Sequence, residues 1–349
     1  MNKGWLVGFL ALNACAHALP PTMVPAEIVR YETQDEWAAE IRHYPGDGPP
    51  VLLVHGMGAN HYNFDYREEV SLAWYLQERG WDVWVPELRG DPGSYPPSKG
   101  ALGGFNFDDH AKDDMPAIVD TVLAATGEKQ LYWVGHSMGG MLLYTAMRDY
   151  PEKITAGVAI CSPATLQHLG GLHKMIRGSG WAVGGRGRFH AQAMAKMVAP
   201  LGKTNPVFTQ LANLENMDGP MVKGMARTSL IDLTKPTAQQ VVQWLKAGEV
   251  VEENGDAWIA PSDVPILVIG AEKDRVAAEP NVAYACSVFT NCEYVKLSRA
   301  NGFSYDYGHI DPVVGRTASS EVFPLVAEFL KRQLPEKSTS DLPSADALP

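Results

Sequence analysis

The clearest chemical signal in this chain is the segment Gly135-His136-Ser137-Met138-Gly139, a G-x-S-x-G pattern between an apolar, strand-like run and a helix-like run. A serine at such a joint can be held on a sharp, strained turn with its hydroxyl exposed. Gly135 and Gly139 suit that turn because side chains there would collide with the neighbouring strand and helix. The pattern therefore predicts that Ser137 is a nucleophile, placed at the positive end of the following helix.

A serine hydroxyl becomes a strong nucleophile only when a base takes its proton and a carboxylate orients that base. His309 is the predicted base because, of ten histidines, it alone follows the candidate acid. That acid is Asp274, which comes five residues after the apolar run 266–269, in the loop that ends a predicted strand. Glu272, in the same loop, is the alternative acid. The chain order Ser, Asp, His matches the nucleophile-elbow pattern.

Attack on a carbonyl also requires donors for the negative charge that develops on its oxygen. Met138, directly after the serine, offers one backbone N–H. A second is expected from Met57, in the segment His55-Gly56-Met57-Gly58 that follows the apolar run 51–54. Because glycines flank Met57, the backbone there can approach a substrate closely. We predict an oxyanion hole formed by Met57 and Met138, with His55 and Gly56 as supporting residues.

These segments, together with Leu88-Arg89-Gly90, resemble the α/β-hydrolase superfamily over about residues 51–330. Two more segments, 107–117 and His309-Ile310-Asp311, are similar to acid-lipase-like and polyhydroxyalkanoate-synthase-like branches. The synthases use a cysteine as nucleophile, whereas this chain has Ser137, which favours hydrolysis over polymerisation. The resemblance implies an α/β-hydrolase fold and a serine ester hydrolase of esterase or lipase type, acting through an acyl-enzyme intermediate on an ester or lipid.

The elements that must position these residues alternate between strand and helix along the chain. Short all-apolar runs predict strands buried on both faces, and helical patterns over 65–79, 107–126 and 137–150 follow them. The fold class is therefore α/β, with a mostly parallel central sheet and helices on both faces. We predict one hydrolase domain over 26–334. Its segment 163–260 breaks the alternation and is predicted to form an inserted cap over the carboxyl ends of the strands.

The N-terminus has the layout of a secretory signal peptide over residues 1–18, with Lys3, an apolar stretch and then small residues. Two cleavage sites remain open: an ordinary site at Ala16-x-Ala18, and a lipobox that would make Cys15 a lipid-modified N-terminus. Both predict export, as a periplasmic protein, a membrane-anchored lipoprotein or a secreted protein. Cys286 and Cys292 are bridged or reduced, and the sequence leaves both alternatives open. Residues 335–349 are predicted to be a disordered tail.

Charge and composition limit the partners. A net charge of −11 argues against a nucleic-acid partner. The sequence has no metal-ligand cluster and no phosphate-binding loop, so no metal or cofactor is predicted. Segment 163–214 contains no acidic residue and carries +6, which leaves −17 for the remainder by subtraction. We expect it either to dock on an anionic membrane surface or on acidic substrates, opening the route to Ser137, or to be an ordinary solvated face. Its basic residues are Lys174, Arg177, Arg186, Arg188, Lys196 and Lys203.

Two other functions fit the same residues. An acyltransferase would share the fold and the serine, histidine and aspartate, but would pass the acyl group to an alcohol instead of water. A binding protein that has lost activity would share the fold alone. Export argues against the first alternative, because an acyl-CoA donor is cytosolic. The full set of Ser137, Asp274 and His309 argues against the second.

Overall fold

The structure is a computed structural model that describes residues 27–169, 188–189 and 191–335. The predicted signal peptide, including Cys15, lies outside these residues, as do Lys174, Arg177 and Arg186 and the predicted tail beyond residue 335. Within the described ranges, no helix combines the length and apolarity needed to cross a bilayer.

The described residues contain a central nine-stranded sheet and a separate two-stranded one. In chain order the strands are β1 (Glu27–Glu32), β2 (Ala38–Tyr44), β3 (Pro50–Val54), β4 (Asp82–Pro86), β5 (Ser94–Tyr95), β6 (Leu131–His136), β7 (Ile154–Ile160), β8 (Arg188–Phe189), β9 (Leu233–Thr234), β10 (Ile266–Ala271) and β11 (Cys292–Leu297).

The order across the central sheet is β1-β2-β4-β3-β6-β7-β10-β11, with β5 paired to β2. Going across the sheet in this order, each strand from β4 to β11 is parallel to the next one. The pairs β1–β2 and β2–β4 are antiparallel. The prediction of a mostly parallel sheet is therefore confirmed. Parallel strands bring their carboxyl ends to one edge, and every predicted site residue lies at or just beyond that edge.

The helices of the described residues either cover the two faces of this sheet or belong to segment 163–260. They are α1 (Leu72–Gln77), α2 (Phe107–Asp109), α3 (Met115–Thr126), α4 (Met138–Asp149), α5 (Ala191–Val198), α6 (Phe208–Leu211), α7 (Gly219–Thr228), α8 (Lys235–Ala247), α9 (Glu279–Ala283), α10 (Asp311–Val314) and α11 (Phe323–Arg332). A π turn, His110–Asp114, joins α2 to α3.

Strand β3 shows why the all-apolar runs form central strands. Val51 and Leu53 belong to a core that also contains α1 and α11, whereas Leu52 and Val54 belong to a second core with α3 and α4. Successive side chains of a strand point to opposite faces, so a strand covered on both faces needs apolar residues at every position.

The predicted helix 65–79 is shorter than expected. Helix α1 begins only after Ser71, whose hydroxyl oxygen accepts the Trp74 N–H at 3.1 Å and therefore caps the first turn. The same hydroxyl donates to the Asp65 carboxylate at 3.0 Å, and Tyr44 donates to that carboxylate at 2.7 Å. These tertiary bonds hold Asp65 in a turn before the helix, which the helical period of the sequence does not show.

The segment 163–260 contributes helices α5 to α8 and the two-stranded sheet of β8 and β9 among the described residues. Between α9 and β11, Cys286 and Cys292 form a disulfide with a Cα–Cα distance of 5.3 Å. Of the two alternatives left open by the sequence, the structure therefore contains the bridged form. Cys161 is a free, buried cysteine at the end of β7.

Candidate active site

Ser137 occupies a strained turn between strand β6 and helix α4. Its φ is 53° and its ψ is −116°, a backbone conformation that costs an ordinary side chain energy. The turn is possible because glycines flank it. A Cβ on Gly139 would overlap the Val54 carbonyl of β3, and a Cβ on Gly135 would overlap the backbone of Gly139. The turn thus holds Ser137 at the N-terminus of α4, as the sequence pattern predicts.

The structure brings the three predicted residues Ser137, His309 and Asp274 together, although they lie far apart in the sequence. His309 Nε2 is 2.9 Å from Ser137 Oγ, and His309 Nδ1 donates to Asp274 Oδ2 at 2.8 Å. The His309 ring is 5% exposed, so water has little access to this chain of hydrogen bonds. In this arrangement Nε2 can accept the serine proton while the carboxylate fixes the ring.

Asp274 is fixed by its own loop after β10. Its Oδ1 accepts the N–H groups of Val276 and Ala277 at 2.8 and 2.7 Å, which leaves Oδ2 for His309. The alternative acid, Glu272, is exposed and forms an ion pair with Lys296 at 2.5 Å. The structure therefore places Asp274, and not Glu272, beside His309.

The loop carrying His309 is anchored from two sides. The Leu211 carbonyl, at the end of α6, accepts the N–H groups of both His309 and Ile310 at 2.9 Å. Asp311 Oδ1 accepts the Gly308 N–H at 2.9 Å and the Asn213 N–H at 3.0 Å. Burial raises the pKa of Asp311 to about 7. Asp311 thus ties the histidine loop to the segment 163–260, and it is the first residue of helix α10.

The predicted oxyanion-hole residues flank Ser137. A Cβ on Gly56 would lie 3.1 Å from the Ser137 Cβ, so the loop after β3 runs directly beside the serine. Met57 and Met138 both line the cavity in front of Ser137. Within the described part of the chain, neither backbone N–H donates a hydrogen bond to another residue. Their donor role stays a prediction, since the geometry describes only where they lie.

Two buried side chains lie directly behind these residues. His136 Nε2 donates to the His309 carbonyl at 2.9 Å, and its Nδ1 lies 2.9 Å from Asn63 Oδ1. Burial, reinforced by the nearby His309, lowers the pKa of His136 to about 3, so this ring stays uncharged. Burial also raises the pKa of the Cys161 thiol well above its usual value, with the Asp274 charge acting in the same direction. Cys161 is therefore an unionised thiol.

The cavity in front of Ser137 has a volume of about 230 Å³ and is lined mainly by apolar side chains. Half of its lining residues come from segment 163–260, so this segment forms the wall opposite the sheet. That wall includes Leu166, Phe208, Met225, Leu233, Trp244 and Leu245. The polar residues among the lining are few: Asn63, His136, Ser137, Ser229 and His309. Such a cavity suits a ligand with an apolar body and one reactive polar group.

Two groups of described residues have His, Cys, Asp or Glu ligand atoms within 4.8 Å of one another: Cys161, Asp274 and His309, and His55, Glu87 and Asp91. The Asp274 and His309 atoms bond to each other, and His55 bonds to Asp91 at 2.8 Å. Glu87 accepts from His61 at 2.5 Å. Because these atoms already have hydrogen-bond partners, we assign no metal to either group.

A family model described as alpha/beta hydrolase fold matches residues 49–308, well over half of the chain. The chain belongs to the alpha/beta hydrolase fold family. The matched range contains Ser137 and Asp274 and ends one residue before His309. The resemblance noted from the sequence motifs is thereby confirmed.

This α/β hydrolase is similar to lipases of known sequence. It is 30% identical to human gastric triacylglycerol lipase over 171 residues, which is 44% of this chain and 43% of that protein. With bovine gastric triacylglycerol lipase it shares 24% identity over 367 residues, covering 88% of each chain. An esterase structure from Thermogutta terrifontis has a TM-score of 0.55 at 16% identity, covering 88% of this chain and 99% of that chain. This structural likeness concerns the fold alone.

Sequence reasoning missed two residues of the site, Asp91 and Asn63. Asn63 Oδ1 accepts the Gly56 N–H at 2.9 Å, and Asp91 contacts His55. A signal for Asp91 existed, because it follows Leu88-Arg89-Gly90 at the carboxyl end of β4, where polar residues of parallel sheets converge. Asn63 lies in a short 3-10 turn, His61–Asn63, and no pattern in the sequence links it to Ser137.

The glycine at position 139 provides a test of the turn. We expect Gly139→Ala to lower the free energy of unfolding by about 3 kcal/mol, because the added methyl meets backbone that cannot move aside. Urea unfolding followed by circular dichroism measures the change. Gly219→Ala, in α7, is the matched control, since its methyl would meet no atom within 4 Å. An equal effect of both substitutions would contradict the close approach of α4 to β3.

Proposed function

We propose that this protein is a serine carboxylic-ester hydrolase of esterase or lipase type. The observation that carries the proposal is the hydrogen-bonded chain from Asp274 through His309 to Ser137, which ends at an apolar cavity. Membership of a hydrolase family and similarity to triacylglycerol lipases support it. An acyltransferase would need an alcohol acceptor in place of water, and a binding protein would not need this chain of hydrogen bonds.

The proposed reaction proceeds in two halves. His309 Nε2 takes the proton of Ser137 Oγ as the oxygen attacks the ester carbonyl, and the N–H groups of Met57 and Met138 hold the resulting oxyanion. The His309 imidazolium, stabilised by Asp274, then gives its proton to the departing alcohol, which leaves an acyl-enzyme. Water, deprotonated by the same histidine, attacks the acyl-enzyme, and Ser137 recovers its proton as the carboxylic acid is released.

The proposed substrate is an ester or lipid with an apolar acyl group. Methionines are frequent in the cavity lining, with Met57, Met138, Met141 and Met225 among its residues. A flexible thioether side chain adapts to different apolar shapes, so such a lining accepts acyl chains of varied form. We propose that segment 163–260 is the cap that covers these chains, and that the domain spans 26–334.

We also propose that the protein is exported through the signal peptide 1–18, as a lipoprotein or a cleaved form. The Cys286–Cys292 disulfide supports this, because such bridges persist in oxidising compartments.

The central test is removal of the nucleophile or the base. Ser137→Ala and His309→Ala should each lower turnover of a p-nitrophenyl ester by about 10⁶, since the two residues act as a unit. Ser320→Ala, on the surface beside α11, should leave turnover unchanged. Labelling by a fluorophosphonate probe should be lost in Ser137→Ala. Near-normal turnover in His309→Ala would disprove the base assignment, and absence of labelling in the unmodified protein would favour a binding protein.

The two carboxylates can be compared directly. Asp274→Asn should slow turnover by about 10⁴, because an amide no longer favours the histidine tautomer that accepts the serine proton. Glu272→Gln makes the same acid-to-amide change at the exposed residue that pairs with Lys296, and it should change turnover less than threefold. Steady-state kinetics of both variants decide the assignment. A severe loss in Glu272→Gln with a mild one in Asp274→Asn would make Glu272 the acid.

The proposed partner of the basic segment is an anionic membrane surface. In its described part, Met197 is 77% exposed and Leu201 is 50% exposed, next to exposed Lys196 and Lys203. Apolar side chains bordered by cations fit the boundary between lipid headgroups and acyl chains. The same segment also contributes Leu166, Phe208 and Leu211 to the cavity in front of Ser137.

Vesicle binding tests this partner. The protein should bind vesicles containing phosphatidylglycerol better than phosphatidylcholine vesicles, and the preference should fade as salt rises. Each lysine near an anionic surface contributes ~1 kcal/mol, so Lys196→Glu with Lys203→Glu should weaken binding at least tenfold. Lys129→Glu with Lys331→Glu is the matched control, because it changes the net charge equally elsewhere. Equal binding to both vesicle types at low salt would refute the proposal.

A further inference from the structure

His55, the first residue after β3, is 1% exposed and has a hydrogen-bond partner on each ring nitrogen. Its Nδ1 donates to the Gly56 carbonyl at 3.0 Å, and its Nε2 lies 2.8 Å from Asp91 Oδ2. The Asp91 side chain is fully buried, and the same oxygen accepts the Leu88 N–H at 2.7 Å. A buried ion pair of this kind costs desolvation energy. It lies at the start of the loop that runs beside Ser137.

The Gly56 carbonyl connects this pair to the proposed oxyanion hole. It accepts both His55 Nδ1–H and the Ala59 N–H, the latter at 3.2 Å. In a planar trans peptide the C=O and the N–H point in opposite directions. Holding the Gly56 carbonyl toward His55 therefore turns the Met57 N–H away from His55. The Gly56 N–H donates to Asn63 at 2.9 Å, so the loop is fixed on that side as well.

His55 can hold the Gly56 carbonyl only while its Nδ1 carries a proton. A carbonyl and a carboxylate only accept hydrogen bonds, so a ring bonded to both carries two protons and a positive charge. Burial opposes that charge, but the Asp91 carboxylate outweighs it and raises the pKa of His55 to about 9. Burial raises the pKa of Asp91 to about 7.

Other ionisable groups surround the pair on every side. Glu87 lies beside it and is bonded to His61, while Arg89 and His110 share the Asp114 carboxylate. His136, whose pKa is lowered, faces the pair from the Ser137 turn without charge. His55 is thus the titrating ring that contacts the Gly56 carbonyl directly.

We propose that His55 and Asp91 are positioning residues that fix the Gly56–Met57 peptide with the Met57 N–H directed at the reacting oxygen. This inference rests on the proposed ester hydrolysis. It assigns to the pair an effect on the transition state, because the oxyanion forms only there. When the pair loses a proton, the ring keeps the N–H that faces the charged Asp91, and Nδ1 then presents a lone pair to the Gly56 carbonyl. The Gly56 carbonyl then keeps only the bond from the Ala59 N–H, so the peptide is held less firmly and turnover should fall.

The pH dependence of turnover separates Asp91 from a purely structural residue. Because the pKa of His55 is raised, the doubly bonded ring is present below pH 9 and is lost as the pH rises through about 9. In Asp91→Asn the amide oxygen keeps the Leu88 N–H and the His55 Nε2–H, and the carboxylate charge that raises the pKa of His55 is gone, so the buried ring is neutral well below pH 9 and has no proton to lose there. We therefore expect kcat of the unmodified protein to fall above pH 9, and this fall to be absent in Asp91→Asn. An alkaline fall of the same midpoint in both proteins would overturn the proposal.

The double variant His55→Phe with Asp91→Asn removes the donor without leaving a buried charge. Its kcat should fall by ~10² with KM unchanged, and its affinity for an alkyl boronic acid, which imitates the oxyanion, should fall by the same factor. His43→Phe with Asp82→Asn is the matched control, since His43 pairs with the buried Asp82 at 2.6 Å on strands away from the site. Thermal unfolding checks that each variant is folded, and if the double variant is not, the Asp91→Asn profile decides.

The outcomes distinguish this inference from the function it rests on. If the unmodified protein hydrolyses esters and Ser137→Ala does not, the proposed function stands whatever the His55 variants do. An unchanged kcat and unchanged boronic acid affinity in the folded double variant would then overturn the positioning role alone. If the unmodified protein hydrolyses no ester, both the function and the inference are wrong.

Discussion

The whole site depends on the close approach of helix α4 to strands β3 and β6. That approach requires glycine at 135 and 139, because any side chain there would overlap backbone atoms. It forces the strained φ of Ser137 and aims the N-terminus of α4 at the cavity. It also brings the Gly56 loop of β3 beside the serine. Had α4 been held further away, the predicted oxyanion donors, Met57 and Met138, would not flank the same point.

A second constraint is the concentration of ionisable groups beneath that edge of the sheet. Besides His309 and Asp274, the region holds His55 with Asp91 and a buried Arg89 whose Nε donates to Asp114 at 2.8 Å. Burying each charge costs free energy, and only a close partner offsets that cost. These pairs therefore fix the loops after β3, β4 and β10 in single arrangements. A set of loops held this firmly keeps reacting groups aligned before the substrate arrives.

The cavity lies between these strand ends and segment 163–260. Met57, Met138 and Met141 line it from the sheet side, whereas segment 163–260 builds the opposite wall mainly from leucine and aromatic side chains, with Met225 among them. Asp311 links the two parts, since it bonds the His309 loop and the Asn213 backbone at once. A shift of the wall would therefore move the loop that carries His309, the proposed general base. This coupling gives a physical route by which binding of an apolar chain and alignment of His309 influence each other.

The sequence by itself determined the α/β class, the mostly parallel character of the sheet and the identity of Ser137, Asp274 and His309 as candidates, because these follow from local period, glycine placement and chain order. It could not choose the start of α1, which tertiary bonds to Asp65 and Ser71 decide. It left Cys286 and Cys292 open and missed Asp91 and Asn63. Those features arise from contacts between strand ends that are distant in the chain. Only folding brings such groups within hydrogen-bond distance, so only the tertiary structure could decide them.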